Sequence, residues 1–159
     1  EAGGHFTRKD FDMQEQTAYP NLYQDRGGRG TIDQSITILQ GRSIGGGTTV
    51  NWTSCYRTPT RVLDLWAERF GVKGWTAQAL APHFEAVEER LNIHPWPAGR
   101  ANANNRTLQR GAQSLGWQVS PMRRNVKNCV DSGYCGMGCP VDGKQAMAIT
   151  TETSRSMRA

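Results

Sequence analysis

Two stretches of this sequence combine residue types whose spacing could do chemistry. The first is Gly41-Arg42-Ser43-Ile44-Gly45-Gly46-Gly47-Thr48-Thr49-Val50-Asn51. The consecutive glycines Gly45, Gly46 and Gly47 remove the side chains that hold a backbone away from a bound group, and they admit positive φ. If a helix starts there, its first N–H groups point to the same place and favour an anion. The chemistry this implies is the holding of a phosphate or pyrophosphate near Gly45–Thr48. By itself, a glycine run is more often only a loop. The second stretch is Cys129-x5-Cys135-x3-Cys139-Pro140. Three thiolates on one Gly-containing loop could ligate an iron–sulfur cluster. A four-thiolate site would need Cys55 or a ligand from outside. Zinc fits less well, because no His or fourth Cys stands at structural-site spacing. Plain loop thiols, with or without one disulfide, are the other reading. His5, His83 and His94 are too far apart in sequence to suggest a ligand pair.

These residues need elements to position them. Residues 1–35 are polar and Gly-rich, and Gly27, Gly28 and Gly30 mark a turn. Ser35 to Gln40 alternates and carries β-branched residues, which predicts a short strand leading into the Gly-rich turn. A helix is predicted over about 61–70, with Val62, Leu65, Trp66 and Phe70 on one face, Pro59 before it and Gly71 after it. A second is predicted over about 76–91, with Thr76 as N-cap and a stripe of Leu80, Phe84, Val87 and Leu91. Pro82 lies inside that pattern and predicts a kink or a later start. A third helix is expected over about 105–115, ending at Gly116, and then a strand over 117–120. The stretch 129–140 is expected to be a tight loop.

Composition narrows the class. The chain has 159 residues, 36% of them hydrophobic, and its mean hydropathy is −0.64. That is thin for a self-contained core and suits a piece of a larger protein. The first residue is Glu rather than Met, and no apolar run approaches the length of a membrane span. The setting expected is cytoplasmic or peripheral to a membrane. The formal charge is +5. Most arginines are scattered, and only Arg123, Arg124 and Lys127 cluster. No nucleic-acid motif accompanies them, so a solvated basic surface is the expectation and nucleic acid is not an expected partner.

The string 41–51 resembles the first signature of the glucose-methanol-choline (GMC) oxidoreductases: Gly, a basic or polar residue, any residue, an aliphatic one, Gly-Gly, two small residues, any residue, an aliphatic one, then Asn. The likeness continues. Asn51-Trp52-Thr53-Ser54-Cys55-Tyr56-Arg57-Thr58-Pro59 is similar to the stretch that lies along the flavin in that family. Trp66, Gly74-Trp75, Leu80-Ala81-Pro82-His83-Phe84 and Val87-Glu88 resemble its helical pair. Gly138-Cys139-Pro140 with Gly143-Lys144-Gln145 resembles its bacterial and long-chain alcohol dehydrogenase or oxidase branch. The likeness covers most of residues 35–150. It departs at Cys55, where the family has an aromatic residue or Ala.

The resemblance implies an α/β flavoprotein of two domains, an FAD domain with a doubly wound sheet and a sheet-based substrate domain. It implies FAD as cofactor and a small-molecule alcohol as substrate, oxidised at its CH–OH carbon by hydride transfer to the flavin. Residues 1–100 would belong to the FAD domain with its flanking helices, 101–150 would enter the substrate domain, and 151–159 read as an unstructured tail. The cofactor-binding set implied is Glu1, Arg42, Gly45, Gly46, Gly47, Thr48, Thr49, Asn51, Trp52 and Ser54. Glu1, followed by Ala2-Gly3, resembles the acidic residue that binds the adenosine ribose in dinucleotide folds. The Gly-x-Gly-x-x-Gly turn is expected upstream of Glu1 and the catalytic His downstream of the tail, so no catalytic residue is expected in this segment. Without cofactor the chain would be inert. With a cluster on Cys129, Cys135 and Cys139 it would serve as an electron-transfer segment.

Overall fold

The computed structural model describes residues 2–150. Glu1 and the tail 151–159 lie outside the described residues. Among the described residues the fold is mixed: five α-helical segments and one two-stranded sheet, held by long loops that pair through single bridges. Among the described residues there is no doubly wound parallel sheet.

The first helix, α1 (Glu15–Leu22), has no counterpart in the sequence expectations. Pro20 sits in its last turns and hides it from a pattern search. Ala18 and Leu22, four residues apart, nevertheless point the same way and are both buried. With Tyr23, Val50 and Met137 they form the apolar core, and Phe6, Phe11 and Tyr19 pack against it. The Tyr19 and Tyr23 rings lie 4.9 Å apart. The Tyr23 hydroxyl donates to the Gly136 carbonyl at 2.5 Å, so the core is tied to the cysteine loop.

The strand expected over 35–40 is instead one arm of a loose hairpin. Gly30 and Thr37 form a single antiparallel bridge, and Ile38 N donates to Arg29 O at 2.8 Å. The Asp33 carboxylate accepts from Ser35 and Thr31 and fastens the turn. The hairpin's apolar side chains stay in solvent; Ile32 and Ile36 are both exposed. The chain returns along α1: Gln24 N donates to Gln40 O, and Arg42 N to Leu22 O. A one-turn helix, α2 (Gly47–Val50), follows the glycines.

The two helices expected next are present as α3 (Thr60–Phe70) and α4 (Ala77–Arg90). Gly71 ends α3 in the left-handed region at φ 65°. Thr76 caps α4 by accepting from Ala79 N at 3.1 Å. Pro82 does not delay α4, which starts at Ala77 and runs through it; as the sixth helical residue Pro82 forfeits the N–H that would reach the Gln78 carbonyl. These helices bury little: Leu63 is buried on α3 and no side chain is on α4. The third is α5 (Ala103–Ser114), capped by Asn102 accepting from Asn105 N at 2.9 Å. Residues 117–120 are not a strand. The chain turns at Gly116 (φ 71°), and no ladder partner reaches it among the described residues.

The sheet joins β1 (Ile93–Pro95) to β2 (Arg123–Asn125), antiparallel, with His94 opposite Arg124. The other edge of β2 bonds to residues 53–55, where Cys55 N donates to Arg123 O at 3.0 Å. One residue pair further, Val126 bridges Lys144. Residues 123–127 are therefore the seam that gathers three distant segments. The reading of Arg123 and Arg124 as solvated charge is corrected here: both are half-buried on β2. The Arg123 guanidinium bonds Glu88 of α4 at 2.9 Å, and Arg57 bonds the same carboxylate at 2.8 Å.

Tyr23→Phe removes the hydroxyl that binds the core to the cysteine loop and leaves the buried Gly136 carbonyl without that donor. It is expected to lower unfolding stability by about 1–2 kcal/mol in a denaturant titration; an unchanged midpoint would show that the link contributes nothing.

Candidate functional site

The Gly-rich turn is built by close contact of backbone with backbone. Gly4 and Ser43 form a parallel bridge, and Ile44 N donates to Gly4 O at 2.9 Å. The first residues of the described chain thus lie against residues 42–44. A Cβ on Gly3 would collide with the Arg42 carbonyl, and one on Gly41 with the Gly46 carbonyl. Gly45 (φ 88°) and Gly46 (φ 51°) take the positive φ that the turn into α2 demands.

Most polar groups of the turn are used within it. Gly46 N donates to Ser43 O at 2.7 Å, Thr48 N to Gly45 O at 3.0 Å, and Thr49 N to Gly46 O at 3.1 Å. The Thr49 hydroxyl donates to Ile44 O at 2.9 Å. The Thr48 hydroxyl donates to Gly45 O at 2.5 Å and accepts from Met147 N at 2.9 Å. The amides between Ile44 and Asn51 are therefore not bare as a group. Gly47 is the opening. It is exposed, its amide has no acceptor among the described residues, and a Cβ placed on it would meet nothing within 4 Å.

Lys144 fastens this turn, a role its type and position in the sequence did not disclose. It is 2% exposed. Its Nζ donates to the carbonyls of Thr49, of Asn51 at 3.1 Å and of Cys135 at 2.6 Å. An ammonium has three N–H donors, and three carbonyls take them. Burial nevertheless pushes its pKa down to about 8, with the nearby Cys135 and Cys139 thiols acting in the opposite direction.

Two clefts flank the turn. The first, about 580 Å³, is lined by Thr49, Lys144, Ala146 and Ala148 together with His5, Arg8 and Lys9. Asp142 is its one carboxylate among the described residues, 3.9 Å from the Arg8 guanidinium. The lining is cationic and suits an anion. The second cleft, about 540 Å³, is lined by Trp52, Trp96 and the exposed edge of α5. The structure thus divides the residues that the sequence grouped together. Thr49 lines the first cleft. Trp52 faces the second, with its indole lying over Gly136, where a Cβ would stand 2.8 Å from the ring. Asn51 is exposed, and its side chain accepts from Thr53 N at 3.2 Å. Arg42 is exposed beside the turn, and Ser54 bridges Arg124 of β2. Glu1 lies outside the described residues.

The cysteines do not come together. Among the described residues no group of three or more His, Cys, Asp or Glu side chains converges as a metal site, and no disulfide joins the four thiols. The iron–sulfur expectation for Cys129, Cys135 and Cys139 is corrected accordingly. Cys135 Sγ accepts from Arg124 at 3.3 Å. Cys139 borders the first cleft, whereas Cys129 sits in a separate hollow with Asn92 and His94. Residues between the cysteines serve the fold: Met137 is in the core and Gly136 seats Trp52. Cys55 packs on β2, its thiol 3.6 Å from Asn125 Oδ1, and burial pushes its pKa up, which makes it a poor nucleophile. Of the histidines, His94 bonds the Asn92 carbonyl just before β1, His83 is exposed on α4, and His5 lines the first cleft.

Residues 19–154 match the family model described as GMC oxidoreductase. Long-chain-alcohol oxidase FAO4B of Arabidopsis thaliana is 32% identical over 144 residues, which are 91% of this chain and 19% of that protein. Long-chain-alcohol oxidase FAO4A of the same plant is 29% identical over 150 residues, 94% of this chain and 20% of that one. An uncharacterized GMC-type oxidoreductase, y4nJ of Sinorhizobium fredii, is 29% identical over 153 residues, 94% of this chain and 30% of that one. The chain spans between 19% and 30% of the length of these relatives.

Lys144→Met leaves three carbonyls without their donor and is expected to cost about 2–4 kcal/mol at pH 7, read from denaturant midpoints. The pH dependence has a defined sign. Unfolding restores the lysine pKa from about 8 to 10.5. Between those values the unfolded chain holds a proton that the folded chain has released, so this group makes stability rise with pH. The stability difference between wild type and Lys144→Met should therefore grow from pH 8 to 10; a flat or shrinking difference would contradict the lowered pKa.

Proposed function

Because the chain belongs to the GMC oxidoreductase family, we propose that it is the cofactor-holding part of an FAD-dependent enzyme that oxidises the CH–OH group of a small-molecule alcohol. The family is FAD-dependent. What supports a cofactor at this turn is the open backbone edge at Gly47. There an amide without an acceptor among the described residues, at the start of α2, belongs to a glycine whose Cβ position is open. The Cβ position of Gly41 is taken by the Gly46 carbonyl and that of Gly45 by the Thr49 hydroxyl; that of Gly47 is not taken. Thr49, two residues on, borders a cleft also lined by His5, Arg8 and Lys9, a cationic lining that fits a phosphate-bearing group.

In this reading Gly45–Thr48 face the phosphate side of the nucleotide, Arg42 adds charge beside the turn, and Glu1 takes the adenosine ribose. Thr48 and Thr49 act through their hydroxyls as clasps that hold the backbone edge in place. Lys144 fixes the far end of the same edge. Asn51 and Ser54 carry the chain from the turn to β2, and Trp52 closes the second cleft. Residues 1–100 would then form the cofactor side and residues 101–150 the start of the substrate side. Bound FAD would supply the two-electron acceptor for hydride from the alcohol carbon. This chain's own contribution is to bind and orient it. The names of the Arabidopsis relatives favour an aliphatic alcohol. No helix among the described residues is long and apolar enough to cross a membrane.

Titration with FAD, followed by flavin fluorescence, tests the assignment. Saturable binding is expected, and Gly47→Asp should weaken it by about tenfold or more, because a carboxylate then meets the phosphate. Since nothing lies within 4 Å of that Cβ, the variant's stability should match wild type. Equal FAD affinity in both proteins, or no binding by wild type, would remove the assignment.

A further inference from the structure

The second cleft has a charge with no counter-charge. Four arginines crowd the sheet and the cysteine loop. Arg57 and Arg123 share the Glu88 carboxylate, and Arg100 is paired with Asp131. Arg124, half-buried on β2, has no carboxylate partner among the described residues. Its Nε donates to Thr53 Oγ1 at 2.8 Å, and one terminal nitrogen donates to Cys135 Sγ at 3.3 Å; neither acceptor is a carboxylate. No acceptor among the described residues takes the other terminal nitrogen. The guanidinium is held in place by stacking: it lies 4.7 Å from the Trp96 ring centroid. Arg100 lies at the same distance from that ring, so Trp96 is a fixed wall.

Most of the rest of the cleft is apolar, with Asn105, Gln109 and Ser120 as further polar side chains. Trp52, Trp96, Leu108, Val119 and Met122 line the cleft with Arg124 in a space of about 540 Å³, and no Asp or Glu among the described residues lines it. Trp52 remains 55% exposed although its indole is seated on Gly136. A half-buried, unpaired guanidinium among apolar walls is costly unless a ligand completes it. Pockets of this size, mostly apolar with one placed charge, are the pattern of a small-molecule site. We propose that this cleft binds a monocarboxylate amphiphile: an aliphatic body between the two indoles and along α5, with its carboxylate on the free edge of Arg124. The site is separate from the phosphate-facing turn and does not rest on the flavin assignment.

Sodium decanoate, titrated against tryptophan fluorescence below its micellar range, is the probe, with decan-1-ol and acetate as comparators. Decanoate should bind saturably and about tenfold more tightly than decan-1-ol, and acetate should not bind measurably. Arg124→Gln should erase the preference for decanoate. Arg124 also braces Thr53, so that variant is read only if its circular dichroism is native. Leu108→Glu, at a position 72% exposed on α5, supplies the second reading. Its carboxylate should weaken decanoate binding about fivefold and leave decan-1-ol within about twofold. Saturating FAD should leave decanoate bound. Equal affinity for acid and alcohol, absence of saturable binding, indifference to Leu108→Glu, or displacement of decanoate by FAD would each overturn the proposal.

Discussion

Lys144 gives its three ammonium protons to the carbonyls of Thr49, Asn51 and Cys135. Those carbonyls belong to two loops more than eighty residues apart in sequence, neither of which has a ladder of its own. One buried side chain thus takes the place of a sheet. Bonding to neighbouring backbone supports it: Lys127 N donates to Gly143 O at 2.7 Å, and Gln145 N donates to Asn125 O at 2.9 Å. Without that knot the one-turn helix after the glycines would have little to keep it in register, since four residues cannot hold a helix alone.

The same economy explains the cysteine loop. Gly136 gives its carbonyl to Tyr23 and its missing Cβ to Trp52, and Met137 enters the core. Gly138, at φ 89°, packs on Phe11 so closely that a side chain would overlap the ring. The loop is a wedge between the first core and the two clefts, and its thiols are carried along by that geometry. A short Cys spacing attracts a metal reading, but loop glycines and apolar residues between the cysteines have structural duties that separate the sulfurs.

How much of this was legible varied by element. Helices α3, α4 and α5 announced themselves through Gly71, Thr76 and Gly116, because caps and stops are local chemistry. Helix α1 was hidden by Pro20 and by a buried face only two residues wide. The three-residue strands were hidden for a different reason: the Arg123-Arg124 pair looks like surface until the distant strand β1 pairs with it. The Gly-rich turn was recognisable as a candidate site, but its glycines split into two kinds, those that admit a neighbouring carbonyl or hydroxyl and one that faces open space. Only contact distances separate Gly41 and Gly45 from Gly47. Lys144 could be noted as a familiar neighbour of Gly143 and Gln145, yet nothing local says that a lysine will be buried.

The central claim is that a knot at Lys144 holds one short backbone edge ready for a flavin nucleotide. Amide hydrogen exchange across residues 44–51, with and without FAD, addresses it most directly. Exchange in that peptide should slow markedly when FAD is added, while peptides in α3 and α4 stay unchanged. FAD that binds yet leaves residues 44–51 exchanging at their original rate would contradict the account.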